Sequence, residues 1–159
     1  MTSSIGSDVF KRILVPVDFS EGSNRAFEYA LLVARAFGAR LTLLHVFDRR
    51  LVEDVFNLHH LDRDEARRRL DERAEIGFAK LQERATADGI ESERLVREGI
   101  PAREIVRAAG DDHADLVVIG SHGTTALRDV LYGTTAEGVV RGAPCPVLSV
   151  GDGFGPTAD

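Results

Sequence analysis

One cysteine, one methionine and no tryptophan occur in this chain of 159 residues. A single thiol excludes an intrachain disulfide framework and any cysteine-built metal centre. No apolar run approaches the roughly 20 residues that cross a bilayer. The opening Met1-Thr2-Ser3-Ser4-Ile5-Gly6-Ser7 is short, polar and uncharged, unlike a secretory signal. Basic charge is in deficit too, with 20 Lys and Arg against 26 Asp and Glu and a formal net charge of −6. Nucleic-acid and membrane-surface partners both want a basic face, so no nucleic acid and no membrane are expected. A cytoplasmic chain fits these absences. The densest basic cluster, Arg67-Arg68-Arg69, stands among Asp62, Asp64, Glu65, Asp71 and Glu72, and reads as an ion-paired helix surface. Cys145 lies at the entry to a strand, either as a small buried filler or as a reactive thiol, and the filler suits its surroundings better.

What is present is a globular composition, 43% hydrophobic and 29% charged, sufficient for one domain with a continuous core. Apolar runs alternate with helical patterns along the chain. Strands are expected at Ile13–Val17, Leu41–Phe47, Glu93–Glu98, Asp115–Ile119 and Val147–Val150. Helices are expected from Glu21 to Phe37, from Asp64 to Ala85, from Pro101 to Ala109 and after Gly133. The long second helix carries Ala66, Leu70, Ala74, Phe78, Leu81 and Ala85 on one stripe. Nearly continuous apolar strands imply a parallel sheet covered on both faces. The fold class is therefore α/β: a single-domain, open, five-stranded, mostly parallel sheet with helices on both faces. Residues 11–150 form this domain, flanked by flexible ends at 1–10 and 151–159. Between Asp48 and Leu61 no clear period emerges. That stretch reads as a lid, a partner contact or a crossover.

The chemistry is concentrated after the fourth strand. Leu116-Val117-Val118-Ile119 leads into Gly120-Ser121-His122-Gly123, then nine residues, then Gly133-Thr134-Thr135 at the start of a helix. Glycines let the main chain approach a phosphate, and the free N–H groups of a new helix favour the anion. The alternative is a tight strand-to-helix turn with no ligand. There is no lysine in the loop, so it is not a Walker-type phosphate loop. Arg128 is the only full positive charge in the nine-residue stretch, where Leu127, Val130 and Leu131 have the spacing of one packed helical turn. His122 either assists at phosphate or bonds locally within the loop.

In open parallel sheets, ligands sit beyond the carboxyl ends of the strands where the strand order reverses. With the first strand central and the fourth beside it, Pro16, Val17 and Asp18 would face the glycine loop across that crevice. Asp18 suits hydrogen bonds from ribose hydroxyls or an adenine amino group. It equally suits a helix N-cap, since Asp18-Phe19-Ser20-Glu21 looks like a helix entry.

These segments resemble the universal stress protein family, in its ATP-binding branch. The resemblance runs from Lys11 to Val150. It is carried by Lys11-Arg12-Ile13-Leu14-Val15-Pro16-Val17-Asp18-Phe19-Ser20, Leu43-Leu44-His45-Val46, Gly99-Ile100-Pro101, the ungapped glycine signature and Ala143-Pro144-Cys145-Pro146-Val147. It implies a Rossmann-like fold of the adenine nucleotide alpha hydrolase type, with strand order 3-2-1-4-5. By position it implies Pro16, Val17 and Asp18 at the ribose and adenine end, with the main chain of Val46 beside the adenine. Ile119 and Gly120 would line the floor, and Gly123, Gly133, Thr134 and Thr135 would hold the phosphates. Thr135 departs from the apolar residue common there. Gly138, inside the last helix, also departs, and costs about 1 kcal/mol relative to alanine. The family is usually homodimeric, and pairing Val147–Val150 with its own copy would cover a sheet edge.

ATP with Mg²⁺, held by a regulatory protein of the stress response, is the expected ligand and role. One alternative is a weak ATP hydrolase or nucleotidyl-transfer enzyme, which would want concentrated positive charge and a positioned acceptor. Another is a nucleotide-free dimerisation module, against which the complete glycine signature argues.

Overall fold

A computed structural model describes residues 9–59, 62–122 and 133–151. Ten elements follow one another: β1 (Arg12–Pro16), α1 (Glu21–Phe37), β2 (Arg40–Asp48), α2 (Arg49–His59), α3 (Arg63–Ala87), β3 (Ser92–Gly99), α4 (Pro101–Asp111), β4 (Leu116–Gly120), α5 (Thr134–Gly142) and β5 (Val147–Val150). The five strands pair in the order β3-β2-β1-β4-β5, and every pairing is parallel. The predicted order therefore holds, and the sheet is parallel throughout rather than mostly so. No helix among the described residues is long and apolar enough to cross a membrane.

Burial explains the apolar runs. Ile13, Leu14, Val15, Leu41, Leu43, Leu44, Val117 and Val118 are essentially inaccessible. Alternate residues of each strand feed two cores, because successive side chains point to opposite faces. One core joins Ile13, Val15, Leu41, Leu43 and Val118 to α1 and α3 through Phe27, Leu31, Phe78 and Leu81. The other joins Leu14, Leu44, Val117 and Ile119 to α4 and α5 through Ile105, Ala108 and Val139. The predicted stripe of α3 is buried at Ala66, Ala74, Phe78, Leu81 and Ala85, with Leu70 partly so. The arginine run beside it is ion-paired, Arg67 to Asp71 and Glu98, Arg68 and Arg69 to Glu65.

Helix ends follow local chemistry. Ser20 caps α1, its hydroxyl accepting from the Ser23 N–H at 3.2 Å. Gly38 closes the same helix in the left-handed region at φ 65°, where a β-carbon would be strained. Pro101 opens α4, where its missing N–H costs nothing.

Three differences from the sequence reading stand out. Segment 49–59 is a helix, α2, although Asp48–Leu61 showed no clear period. It begins without a loop, and the carboxylate receiving the Arg50 N–H at 3.0 Å belongs to Asp48, the last residue of β2. Second, α1 is capped by Ser20 and not by Asp18. Third, the cost at Gly138 has a cause: a β-carbon there would stand 2.8 Å from Ala102 Cβ, so the glycine lets α5 lie close on α4. Gly142, one turn on, faces Val106 in the same way. The chain ends at 1–8 and 152–159, and the expected turn at Leu127, Val130 and Leu131, lie outside the described residues.

Candidate functional site

The expected crevice belongs beyond the point where β1 and β4 stop pairing, β1 leading into α1. β1 pairs with β4 at Ile13–Leu116 and Leu14–Val117. Beyond Pro16, the Val17 N–H still reaches the Leu44 carbonyl of β2 at 2.8 Å. Asp18 then turns the chain into α1. Its Oδ1 accepts from the Ser20 N–H at 3.0 Å and from the Ser20 hydroxyl. The Asp18 N–H donates to Ser23 Oγ at 3.3 Å. Asp18 is half-buried.

From the other side, β4 ends at Gly120 against the first turn of α1. A β-carbon on Gly120 would lie 2.8 Å from the Gly22 carbonyl oxygen and 3.3 Å from the Ser23 nitrogen. A β-carbon on Gly22 would overlap the His122 carbonyl oxygen. The structure thus brings Asp18 and Gly120 against one shared neighbour, Ser23. Gly22 was not singled out from sequence. A glycine one residue into a helix carries no signal until its contact with the distant loop is known.

The loop is closed at its base. Gly133 N–H donates to the Ser121 carbonyl at 2.7 Å, and Ser121 N–H donates to Val150 of β5 at 2.9 Å. A β-carbon on Gly133 would sit 3.1 Å from the Ser121 oxygen. Gly133 is the N-cap of α5 and, lacking a side chain, makes no capping side-chain hydrogen bond itself. The first-turn N–H groups of a helix and the positive end of its dipole favour an anion. Thr134, exposed, and Thr135, half-buried, occupy this first turn. His122 is half-buried with Nδ1 3.1 Å from Ser121 Oγ, the local bond weighed above. Ile119 is buried beneath α5 in the core that contains Val139. Gly123 and Arg128 lie outside the described residues.

Val46, which the resemblance puts beside an adenine, stands in the last part of β2, paired with Arg97 of β3. Its neighbour His45 donates from Nδ1 to the Val17 carbonyl at 2.7 Å, tying β2 to the turn that carries Asp18. Burial among rings pushes the His45 pKa down, and the Val17 bond and the Asp18 charge only partly oppose it. Phe19 was also missed from sequence. It has φ 64° and packs on His45 and Phe78. Phe19 also borders an open groove of about 760 Å³ between α1 and α3, lined further by Arg25, Arg73, Gly77 and Lys80. Among the described residues its lining includes none of Gly120, Ser121, His122 and Gly133. Cys145 is half-buried and packs on the α4/α5 core, with burial raising its thiol pKa. Its packing fits the small filler of the two readings.

The universal stress protein family matches residues 10–151, the whole sheet and every helix. The chain belongs to this family. Universal stress protein MJ0577 of Methanocaldococcus jannaschii is 31% identical over 156 residues, covering 91% of this chain and 96% of that one. A universal stress protein of Thermus aquaticus is 38% identical over 144 residues, covering 89% and 99%. The solved structure of MJ0577 superposes with a TM-score of 0.79 over 90% of this chain and 96% of that one. At 23% and 22% identity, with TM-scores of 0.67 and 0.61, two more universal stress proteins share the fold, one solved with cAMP and one, from Archaeoglobus fulgidus, with dAMP. The first covers 89% of this chain and 97% of its own, the second 89% and 98%.

Proposed function

We propose that this universal stress protein binds ATP at the carboxyl edge of the sheet, between β1 and β4, and acts as a nucleotide-dependent regulatory module in the cytoplasm. The observation that carries the reading is the α5 N-terminus, whose N-cap Gly133 makes no side-chain hydrogen bond and donates its N–H to the Ser121 carbonyl just after β4. In the assignment, Asp18 accepts from the ribose, with Pro16 and Val17 behind it. The main chain at Val46 reads the adenine edge. Ile119 and Gly120 form the floor, while Gly123, Gly133, Thr134 and Thr135 hold the phosphates with help from His122 and Arg128. The cAMP and dAMP complexes of fold relatives are consistent with an adenine nucleotide lying here.

Mg²⁺ would arrive with the nucleotide, because no group of three or more carboxylate, histidine or cysteine ligands gathers among the described residues. Backbone dipoles and a first-turn hydroxyl hold phosphate without a lysine to neutralise a leaving group, which favours retention over turnover. A homodimer through β5 is part of the reading. β5 is the sheet edge, and Leu148 and the nearby Val140 of α5 are both exposed. The test is to denature the purified protein and identify the released nucleotide, then repeat with Gly133→Val. Recovered ATP that the variant lacks supports the reading. A protein that is empty and ignores added ATP overturns it, and ADP produced at catalytic turnover favours the hydrolase.

A further inference from the structure

We propose that Phe19, seated on Gly77 of α3 and flanked by His45, is a positioning residue that aims Asp18 at the ribose, so that α3 sets how the sugar is read. This rests on the assignment of Asp18 to the ribose in the proposed ATP site.

Phe19 holds φ 64°, the left-handed region that aromatic side chains rarely occupy. Such conformations persist only where surrounding contacts over-determine them, and they cluster at ligand sites. Here the contacts are specific. The Phe19 ring stands edge-on to Phe78, with centroids 5.5 Å apart at 84°, and tilted against His45 at 5.1 Å. It also presses on the backbone of Gly77, where a β-carbon would lie 2.7 Å from Phe19 Cγ and closer still to Cδ1 and Cε1. Gly77 sits deep inside a 25-residue helix, a place where glycine weakens the helix. The close approach of the Phe19 ring accounts for it.

The grip falls on both sides of Asp18. His45 Nδ1 donates to the carbonyl of Val17, the residue before it, at 2.7 Å. Phe19, the residue after it, is held by rings and by Gly77. His45 in turn meets Phe47 edge-on at 4.7 Å, so the cluster is anchored in β2 as well as α3. The backbone from Val17 to Ser20 is therefore fixed by tertiary packing, and with it the direction of the Asp18 carboxylate. A helix entry needs only the Ser20 cap; it does not need an aromatic residue strained into the left-handed region.

The test compares affinity for ATP and for 2′,3′-dideoxy-ATP by calorimetry, in the wild type and in Asp18→Asn, Gly77→Ala, Phe19→Gly and the Phe19→Gly/Gly77→Ala pair. A hydrogen bond to a charged acceptor gives the wild type a preference of about tenfold or more for ATP. Asp18→Asn, which keeps an acceptor oxygen but loses the charge, should cut that preference to about threefold or less. Gly77→Ala and Phe19→Gly should erase most of it while dideoxy-ATP affinity stays within about threefold of wild type, because the phosphate contacts survive. Phe19→Gly is chosen because glycine accepts the positive φ without strain while removing the ring, so a folded variant is at hand if Gly77→Ala folds poorly. The pair should lose no more than Phe19→Gly alone, since the alanine methyl then meets no ring. If Asp18→Asn cuts the preference and both positioning variants keep it, Phe19 merely packs and the inference is overturned. If Asp18→Asn itself leaves the preference intact, the ribose assignment fails and takes the inference with it.

Discussion

Replacing Gly120 by alanine isolates the contact between the glycine loop and α1. Gly120 does not have a positive φ, so alanine meets no conformational penalty there. Its added β-carbon would instead stand 2.8 Å from the Gly22 oxygen, 2.9 Å from the Gly22 carbonyl carbon and 3.3 Å from the Ser23 nitrogen. Ordinary contact begins near 3.4 Å, so the first turn of α1 must retreat by about 0.6 Å. All three obstructing atoms are main chain, and no side-chain rotation relieves them. Overpacking of this kind costs about 1–3 kcal/mol. In a chain of this size that lowers Tm by roughly 3–10 °C. The same retreat moves Ser23, whose hydroxyl receives the Asp18 N–H, so ATP affinity should fall at least about tenfold. Thermal melts and calorimetric titration read the two effects. Gly110→Ala is the control: it is an exposed position of α4 with nothing within 4 Å, and alanine should stabilise it by about 0.5–1 kcal/mol. A Gly120→Ala protein that melts and binds ATP like wild type would refute the contact as the reason for glycine.

Other outcomes follow from named contacts. Gly138→Ala should destabilise by up to about 2 kcal/mol despite better helix propensity, and adding Ala102→Gly should recover much of the loss in chemical denaturation. His45 has a folded-state pKa below its unfolded value of about 6.5, so the unfolded chain binds the extra proton first. Its contribution is complete above that value and is lost as pH falls from about 6.5 toward the lower folded pKa. His45→Gln should flatten this part of the stability profile measured by melting between pH 7 and 5. Leu148→Lys, on the exposed edge strand, should shift sedimentation toward monomer while leaving the far-UV spectrum unchanged; a persistent dimer would put the interface elsewhere.

How much of this was readable in the sequence depended on whether the signal was local. Leu41 to Phe47 and Leu116 to Ile119 announced buried parallel strands, because burial on both faces removes polar alternation. β5 matched its expected bounds, and α1 ended at Gly38 as a left-handed cap requires. The glycine spacing located the α5 N-terminus for the same reason, since a helix start and its approach are encoded within a few residues. α2 escaped because its start signal, Asp48, is also the last strand residue and no turn intervenes. Asp18 had two readings of equal local merit, and only the geometry of Ser20 removed the capping one. Gly22, Gly77 and Gly138 were opaque for a common reason. Each looks like a defect in a helix until the group pressed against it is known: the His122 carbonyl, the Phe19 ring and the Ala102 methyl.

The central claim is that the α5 N-terminus and the Asp18 turn together form an adenine-nucleotide site. Calorimetric titration of the nucleotide-stripped protein with ATP and Mg²⁺ tests it most directly, with Gly133→Val and Asp18→Asn measured beside the wild type. Saturable one-to-one binding per chain, abolished by Gly133→Val and weakened by Asp18→Asn, is the predicted result. No heat of binding in the wild type, or equal binding in all three proteins, would contradict it.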